Sequence, residues 1–520
     1  MIEFVLTQFG QFFVALVELT LDPVTYLYLV GSVSLGIVFG ALPGLTATLA
    51  VTILTGFFGN KFPVEQAMIA LIGAYVGAIY GGSYPSILLN IPGTAASAAT
   101  ALDGHPLARQ GRGGEALGLT TSASFVGTLI GTFCLLIFVW VLMALATQIA
   151  SPEKALLALF GILISGTLMS DDLVIKGWLA GLIGLGMAMV GLDPILSEQR
   201  YIFDWSYLLS GFQVVPVLMG CFAIPQILLG LRTGPVSGTP IQVGRITPSF
   251  GTLRRNMPTI ARSGSIGVGI GALPGVGEDV AGWVSYGVGK SVSRHPEQFG
   301  KGSFEGLLSS ETANNACIGG ALIPLLVLGI PGSPPAAALL GALMINNVTP
   351  GPTIDPDFIV RIVAILVLAS ATMLVLGLGL ARVFIQVLRL PQTVFLPVVM
   401  VLTTIGSFSV GGGTNDLFLM IVIGLIAYAL IRMQYPIAPL VIGVILGGLF
   451  DETFRRSLLI SDGDLTTFLT RPAAAVLVLA NVALILSQVP AVKRLLSRRM
   501  PSTDTVADDP AATSKGVDAP

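Results

Sequence analysis

Three acidic residues stand in apolar surroundings where acids are costly. Glu278 and Asp279 follow the pair Pro274-Gly275, and Glu311 lies just before Ala313-Asn314-Asn315. Ionisable groups at membrane depth are rare and mark functional positions by default. These carboxyls can bind Na⁺, carry a proton or shape a polar site, which makes them the candidates for handling a coupling cation. The other reading makes them helix caps at an interface. Asp451 and Glu452 are weaker candidates. Arg455 and Arg456 follow within about one helical turn, so an exposed turn would account for them.

Uncharged donors gather around four Pro-Gly pairs. Thr46 and Thr48 follow Pro43-Gly44, while Ser83, Asn90, Thr94 and Ser97 surround Pro92-Gly93. Ser309, Ser310, Thr312, Asn314 and Asn315 precede Pro331-Gly332, and Ser333 follows it. Proline removes a backbone donor and blocks the preceding turn, while glycine permits reversal of the chain. A helix broken this way leaves unpaired N–H groups at one half-helix start and bare carbonyls at the other end. The N–H end suits a carboxylate and the carbonyl end suits Na⁺. The four breaks, with Thr46, Thr48, Asn90, Thr94, Asn314, Asn315 and Ser333, form the candidate substrate site. Ordinary contacts between small residues are the competing explanation for each Ser or Thr.

Other chemistries find little support. Cys134, Cys221 and Cys317 lie far apart in apolar runs, with no metal-ligand spacing, and read as packing residues. His105 and His295 both fall in polar stretches read as loops, which disfavours a histidine metal site or nucleophile. The stretch 103–115 is polar and glycine-rich but lacks the Lys-Ser/Thr ending of a phosphate cradle, so it reads as a connecting loop or partner contact. Residues 285–301 read as a second, solvated connector. No cofactor and no catalytic residue are expected.

The surrounding chain must be a membrane protein. Only 10% of its 520 residues are charged and 53% are hydrophobic, with a mean hydropathy of +0.87. Soluble domains carry about 25% charged residues. The net charge of −2 disfavours nucleic-acid binding. The uncharged runs 23–60, 66–102, 116–152 and 312–354 are roughly twice a bilayer span. The first, second and fourth carry an internal Pro-Gly pair and read as two passes or as a pass with a re-entrant hairpin. The third reads as one long tilted helix or as a helix with an interfacial extension. Further spans are expected at 155–168, 173–191, 207–231, 362–381, 394–405, 417–431, 437–450 and 472–492. The total is roughly 10 to 12 passes. Before Lys61 there is no Lys or Arg, so no signal peptide is expected. Residues 501–520 read as a disordered tail.

The two halves repeat each other. Gly40-Ala41-Leu42-Pro43-Gly44 recurs as Gly271-Ala272-Leu273-Pro274-Gly275. Gly81, Pro85, Ile91, Pro92, Gly93 and Thr94 align with Gly320, Pro324, Ile330, Pro331, Gly332 and Ser333 at a constant offset of 239 residues, which also pairs Pro152 with Pro391. Pro216-Val217-Leu218-Met219-Gly220 resembles Pro439-Leu440-Val441-Ile442-Gly443. The polar, acid-free stretch holding Arg232, Arg245, Arg254, Arg255 and Arg262 makes the linker cytoplasmic by the positive-inside rule, as it does Lys493, Arg494, Arg498 and Arg499. With one extra helix at the end, the copies come out inverted, as in many secondary transporters. Arg455, Arg456 and Arg471 sit awkwardly near the outer face in this arrangement.

The expected architecture is an all-α polytopic membrane protein of two inverted repeats with broken helices and re-entrant hairpins. It divides into an N-terminal segment 1–22, a first repeat 23–231, a cytoplasmic linker 232–257 and a second repeat 258–470. A final helix with a basic end, 471–500, precedes the tail 501–520.

The motifs resemble those of the TctA family, the large membrane subunit of tripartite tricarboxylate transporters. The likeness runs over roughly residues 20–490 and rests on long motifs. In the first half these are Gly40 to Gly44, Tyr80-Gly81-Gly82-Ser83, Asn90-Ile91-Pro92-Gly93-Thr94, and Asp103-Gly104 with Pro106-Leu107-Ala108. In the second half they are Gly300-Lys301-Gly302, Glu311 with Ala313-Asn314-Asn315-Ala316, Gly329 to Ser333, and Pro350-Gly351-Pro352. The resemblance implies a permease of the bacterial inner membrane, importing tricarboxylates or other carboxylates with Na⁺ or H⁺. It also implies a small TctB-like membrane subunit and a TctC-like periplasmic solute-binding protein as partners, and an elevator-like motion of the hairpins. Gly277-Glu278-Asp279 departs from the small residues expected after Pro274-Gly275 and marks a specialised member.

Three other readings compete with this one. A binding-protein-independent channel or exporter would not need duplicated hairpins. A membrane-embedded hydrolase would need a His within a span or acids on two facing spans. A passive scaffold leaves the intramembrane acids unexplained.

Overall fold

The computed structural model describes residues 2–59, 61–169, 173–233, 241, 243–244, 246–411, 413–489 and 492. Arg245, the basic end Lys493 to Arg499 and the tail 501–520 lie outside the described residues. Lipid offers backbone groups no hydrogen bonds, so an apolar chain must satisfy them within helices. The described residues are accordingly almost all helical, and ten helices among them are long and apolar enough to cross a membrane.

The N-terminal segment forms a helix, α1 (Ile2–Leu21). The first repeat follows as α2 (Pro23–Ala41), α3 (Ala47–Phe58), α4 (Val64–Gly81), α5 (Ser83–Leu89), α6 (Ala98–Leu107) and α7 (Gly113–Ala146). It closes with α8 (Ser151–Leu168), α9 (Val174–Ala188) and α10 (Val214–Thr233). A short helix α11 (Phe250–Arg255) ends the linker. The second repeat comprises α12 (Met257–Gly271), α13 (Gly277–Val292), α14 (Phe304–Leu328), α15 (Pro334–Ile345), α16 (Pro356–Gly379) and α17 (Ala381–Val387). It continues as α18 (Gln392–Gly411), α19 (Thr414–Arg432) and α20 (Ile437–Ile460). The chain then runs through α21 (Thr467–Thr470) and α22 (Pro472–Ser487). Two residue pairs, Gly191–Leu192 and Gln199–Arg200, make a small antiparallel ribbon between α9 and α10.

Packing follows the duplication. α2 lies on α4 and α12 lies on α14. Between copies the contacts are reciprocal: α7 packs on α14 as α16 packs on α4, and α9 on α20 as α19 on α10. The close approaches depend on glycine. A Cβ on Gly36 would lie 2.3 Å from the Ala74 carbonyl oxygen, and one on Gly267 would lie 2.2 Å from that of Ala313. These are the same contact in both copies, a small-residue crossing of the kind that holds helices together in lipid.

Several local expectations change. Residues 103–112 are not a loop: α6 continues to Leu107, and a π turn over Ala108–Arg112 leads into α7. Gly111, at φ +80°, absorbs the kink. His105 therefore sits in a helix, with its Nδ1 3.1 Å from the Ile87 carbonyl oxygen. Likewise α13 runs to Val292, and Tyr286 is buried rather than solvated. Asp451 is no exposed turn either. It is buried inside α20 and accepts from Arg200 at 2.8 Å.

Candidate functional site

Each repeat builds its second break with the same hydrogen bonds. After α5 the chain turns left-handed at Asn90 (φ +57°), and after α14 at Gly329 (φ +70°), the equivalent position. The Ile91 N–H then reaches back to the Pro85 carbonyl at 3.3 Å, and the Ile330 N–H to the Pro324 carbonyl at 3.2 Å. This is the helix-ending pattern that a left-handed Asn or Gly permits. Next, the Gly93 N–H donates to Gly82 at 3.4 Å and the Gly332 N–H to Ala321 at 3.3 Å. A Cβ on Gly93 would lie 2.1 Å from the Gly40 carbonyl oxygen, and one on Gly332 would lie 2.0 Å from that of Gly271. Thus the second break of each copy rests directly against the helix entering its first break.

The first breaks are tight turns. Gly44 adopts φ +91° and Gly275 φ +74°, values that glycine takes without strain. The Gly275 N–H donates to the Pro331 carbonyl at 3.0 Å, joining both breaks of the second copy. Beyond the turn, Thr46 caps α3 by accepting the Leu49 N–H at 3.1 Å, and Thr48 is buried on the same helix. Gly277, at the place of Thr46 in the second copy, takes φ +75° and packs against Ser333.

Between the copies lies a buried polar cluster. Glu311 in α14 is completely buried. Its carboxylate accepts from Ser83 of α5 at 2.8 Å, from Ser124 of α7 at 3.1 Å and from Thr100 of α6, all in the first copy. One turn on, Asn314 donates to the Ala96 carbonyl at 3.1 Å, so it reaches the first copy's second break. Asn315 donates to the Asn314 side-chain oxygen at 2.8 Å and to the Glu311 carbonyl at 3.1 Å. Its own Oδ1 is buried with no hydrogen-bond partner among the described residues. Glu278, also buried, accepts from the Tyr75 hydroxyl, which lies 2.7 Å from the Ser333 hydroxyl. Asp279 stands beside Glu278 in the first turn of α13. Among the described residues no Lys or Arg pairs with Glu278, Asp279 or Glu311. A buried carboxyl without a counter-charge needs such dipoles, or a proton or cation, to offset its lost hydration.

One expected donor set is missing. The first turn of α15 carries Pro334 and Pro335, which have no N–H, and the Ala336 N–H is taken by the Ser333 hydroxyl at 3.3 Å. The second copy's break therefore offers side-chain hydroxyls in place of free backbone donors. Tyr75, Thr100 and Ser124 were not foreseen. Tyr75 had a usable signal, because at the offset of 239 it occupies the place of Asn314.

Residues 26–442 match the Tripartite tricarboxylate transporter TctA family, which takes in every break and every acid of the cluster. The chain belongs to the TctA family. It is a transporter component that passes through the membrane several times. An Agrobacterium vitis protein described as an uncharacterized 52.8 kDa protein in the TAR-I ttuC′ 3′ region is 34% identical over 472 residues, covering 90% of this TctA chain and 93% of that protein. Another from the same organism, in the TAR-II ttuC′ 3′ region, is 37% identical over 228 residues, 43% of this chain and 94% of its own length. No solved structure matches this TctA chain.

Proposed function

We propose that this chain is the permease subunit of a tripartite, binding-protein-dependent secondary transporter of the bacterial inner membrane. It imports an organic carboxylate, a tricarboxylate or a smaller one, with Na⁺ or H⁺. A TctC-like periplasmic solute-binding protein delivers the solute, and a TctB-like small membrane subunit completes the complex. The observation that carries this reading is the cross-copy cluster, in which Asn314 reaches the Ala96 carbonyl while Tyr75 reaches Ser333. Each copy thereby reads the other's second break. Transporter sites form at such repeat interfaces near the midplane. The carboxyls of Glu278, Asp279 and Glu311, lacking basic partners, are the groups for the coupling cation.

In this reading the copies are inverted and the C-terminus is cytoplasmic. Contacts at the two ends of the equivalent helices α4 and α14 support it. Glu65, at the start of α4, pairs at 3.1 Å with Arg361 of α16, beyond the end of the α14–α15 hairpin. Asp103, beyond the end of α5, binds the N–H groups of Gly302 and Ser303 at the start of α14, at 2.9 and 2.7 Å. The outer-face arginines are neutralised: Arg455 pairs with Asp193, Arg456 with Glu452 at 2.7 Å, and Arg471 with buried Glu153 at 2.5 Å.

Uptake into vesicles containing the chain and its small membrane partner tests the proposal, with mono-, di- and tricarboxylates, with and without Na⁺ and a proton gradient. Carboxylate uptake that needs added solute-binding protein is expected. Uptake independent of that protein would favour a channel or exporter.

A further inference from the structure

Each copy holds a cavity behind its second break. The larger, of about 740 Å³, is walled by Gly329 at the break itself, Met344 of α15, Asp451 of α20 and Arg200 of the ribbon. The other, of about 560 Å³, is walled by Asn90, His105, Arg109 and Gln110. At the offset of 239, Asn90, His105 and Gln110 fall on Gly329, Met344 and Thr349, and Thr349 also lines the larger cavity. The two cavities are one feature built twice, which a fault of packing would not be. In the inverted arrangement they lie toward opposite faces, the larger toward the outside.

Among the described residues Arg200 is the only Lys or Arg on the wall of the larger cavity. Its Nη2 donates to Asp451 Oδ2 at 2.8 Å, and its Nη1 stands 3.9 Å from Asp193 Oδ2. Its Nε is buried with no hydrogen-bond partner among the described residues. A guanidinium presents five N–H donors in a fork that matches a carboxylate, so the capacity of this one is only partly used. The acids beside it have other arginines. Arg455 Nη1 lies 3.9 Å from Asp451 Oδ2, and Glu452, also on the wall, pairs with Arg456 at 2.7 Å. If Arg200 turned to another carboxylate, the buried Asp451 would keep a counter-charge, and the cost of stranding a buried ion would be avoided. The polar cluster lies just beyond. Gly329 on the cavity wall and Ser333, bonded to Tyr75, are the two ends of one five-residue break.

We propose that the larger cavity is an entry site for the carboxylate solute, in which Arg200 exchanges Asp451 for a solute carboxylate before the solute passes the second break. This rests on the proposed function, carboxylate transport through a site at the breaks. Asp451 sets the affinity of the entry site by holding Arg200 until the solute displaces it.

The test is thermal stabilisation of the purified, detergent-solubilised full chain by acetate, succinate and citrate, with succinamide as the uncharged control. Binding to the folded state raises the melting temperature according to occupancy. Arg200→Gln is expected to raise the half-saturating concentration of the most stabilising carboxylate about tenfold, and Asp451→Asn to lower it, because Arg200 is then released. A purely structural tie between the ribbon and α20 is cut by either change and would shift both values in the same direction. Equal values in wild type and both folded variants, or a shift of both in one direction, overturns the proposal. If Arg200→Gln fails to fold, thiol labelling of Met344→Cys decides, since Met344 is exposed on the cavity wall. Labelling above the wild-type background should slow with the same carboxylate and not with succinamide; unslowed labelling at high carboxylate concentration overturns the proposal. Vesicle uptake separates this failure from that of the functional reading. Binding-protein-dependent carboxylate uptake by wild type without these effects sinks only the entry site; absence of all carboxylate uptake sinks the reading beneath it.

Discussion

The hydroxyl of Ser83 donates to the Glu311 carboxylate at 2.8 Å, joining the first copy's α5 to the second copy's α14 across 228 residues of sequence. Ser124 and Thr100 complete this contact, so Glu311 ties three first-copy helices to one helix of the second. A hydrogen bond to a charged group contributes about 1.5–3 kcal/mol. Ser124→Ala is expected to lower the melting temperature of the purified chain, and Glu311→Ala to lower it further by stranding three buried hydroxyls. Glu311→Ala and Asn315→Ala should also abolish vesicle uptake while membrane insertion persists. Wild-type transport rates in both would remove these positions from the site.

Glycine at the second breaks is required by contact with another helix's backbone. With a Cβ 2.1 Å from the Gly40 carbonyl oxygen, Gly93→Ala must push α2 away, and Gly332→Ala must do the same to α12. Overpacking of this kind costs about 1–3 kcal/mol, and more where backbone must move. Both variants should show reduced yield of monodisperse protein and a lower melting temperature. Gly269→Ala, where the Cβ would meet nothing within 4 Å, is the control expected to behave as wild type.

Much of this was legible in the sequence because the breaks are written in Pro and Gly, whose backbone effects are local. Gly40 to Gly44 and Gly329 to Ser333 announced their turns without any knowledge of partners. The run 116–152, with no interior proline, forms the long helix α7, which stops at Ala146 before α8 begins at Ser151. Partnerships across the copies were not legible. Tyr75 looked like one more aromatic in an apolar run, and only the fold sets its hydroxyl against Glu278. Asp451 seemed explained by the arginine one turn later, while its closer partner Arg200 lies 251 residues away. At 103–112, Gly104, Pro106 and Gly111 read as a loop, but a π turn let the helix continue through them.

Asp103 shows why that stretch is helical and polar. Its Oδ1 accepts the N–H groups of Gly300, Gly302 and Ser303 at 2.9, 2.9 and 2.7 Å, and its Oδ2 accepts the Tyr286 hydroxyl at 2.9 Å. One carboxylate thus fixes the loop before α14 to the helix after the first copy's second break. Asp103→Ala leaves three N–H groups to find new partners and should destabilise strongly, by several times the cost of about 1 kcal/mol expected for Tyr286→Phe. Asp103→Asn retains one acceptor and should fall between them. Melting temperatures of the three variants check the order, and an Asp103→Ala protein as stable as wild type would refute the pinning role.

The connector between α9 and α10 is expected to resist acid. Burial alone would raise the Asp193 pKa, but the Arg455 guanidinium and the N–H groups of Ile195 and Leu196 outweigh it and bring the carboxyl down to about 2. A carboxyl with a folded pKa below its unfolded value of about 3.9 stabilises the fold above that unfolded value. The contribution fades as pH falls from about 4 toward 2 and is constant at higher pH. Hydrogen exchange of the backbone from Gly191 to Arg200, corrected for its intrinsic pH dependence, should therefore show unchanged protection from pH 8 to pH 5. Asp193→Asn should lose part of that protection across the whole range, because the neutral amide can no longer hold Arg455 by charge. Protection in the wild type that falls between pH 7 and pH 5 would show that a group other than Asp193 governs the connector.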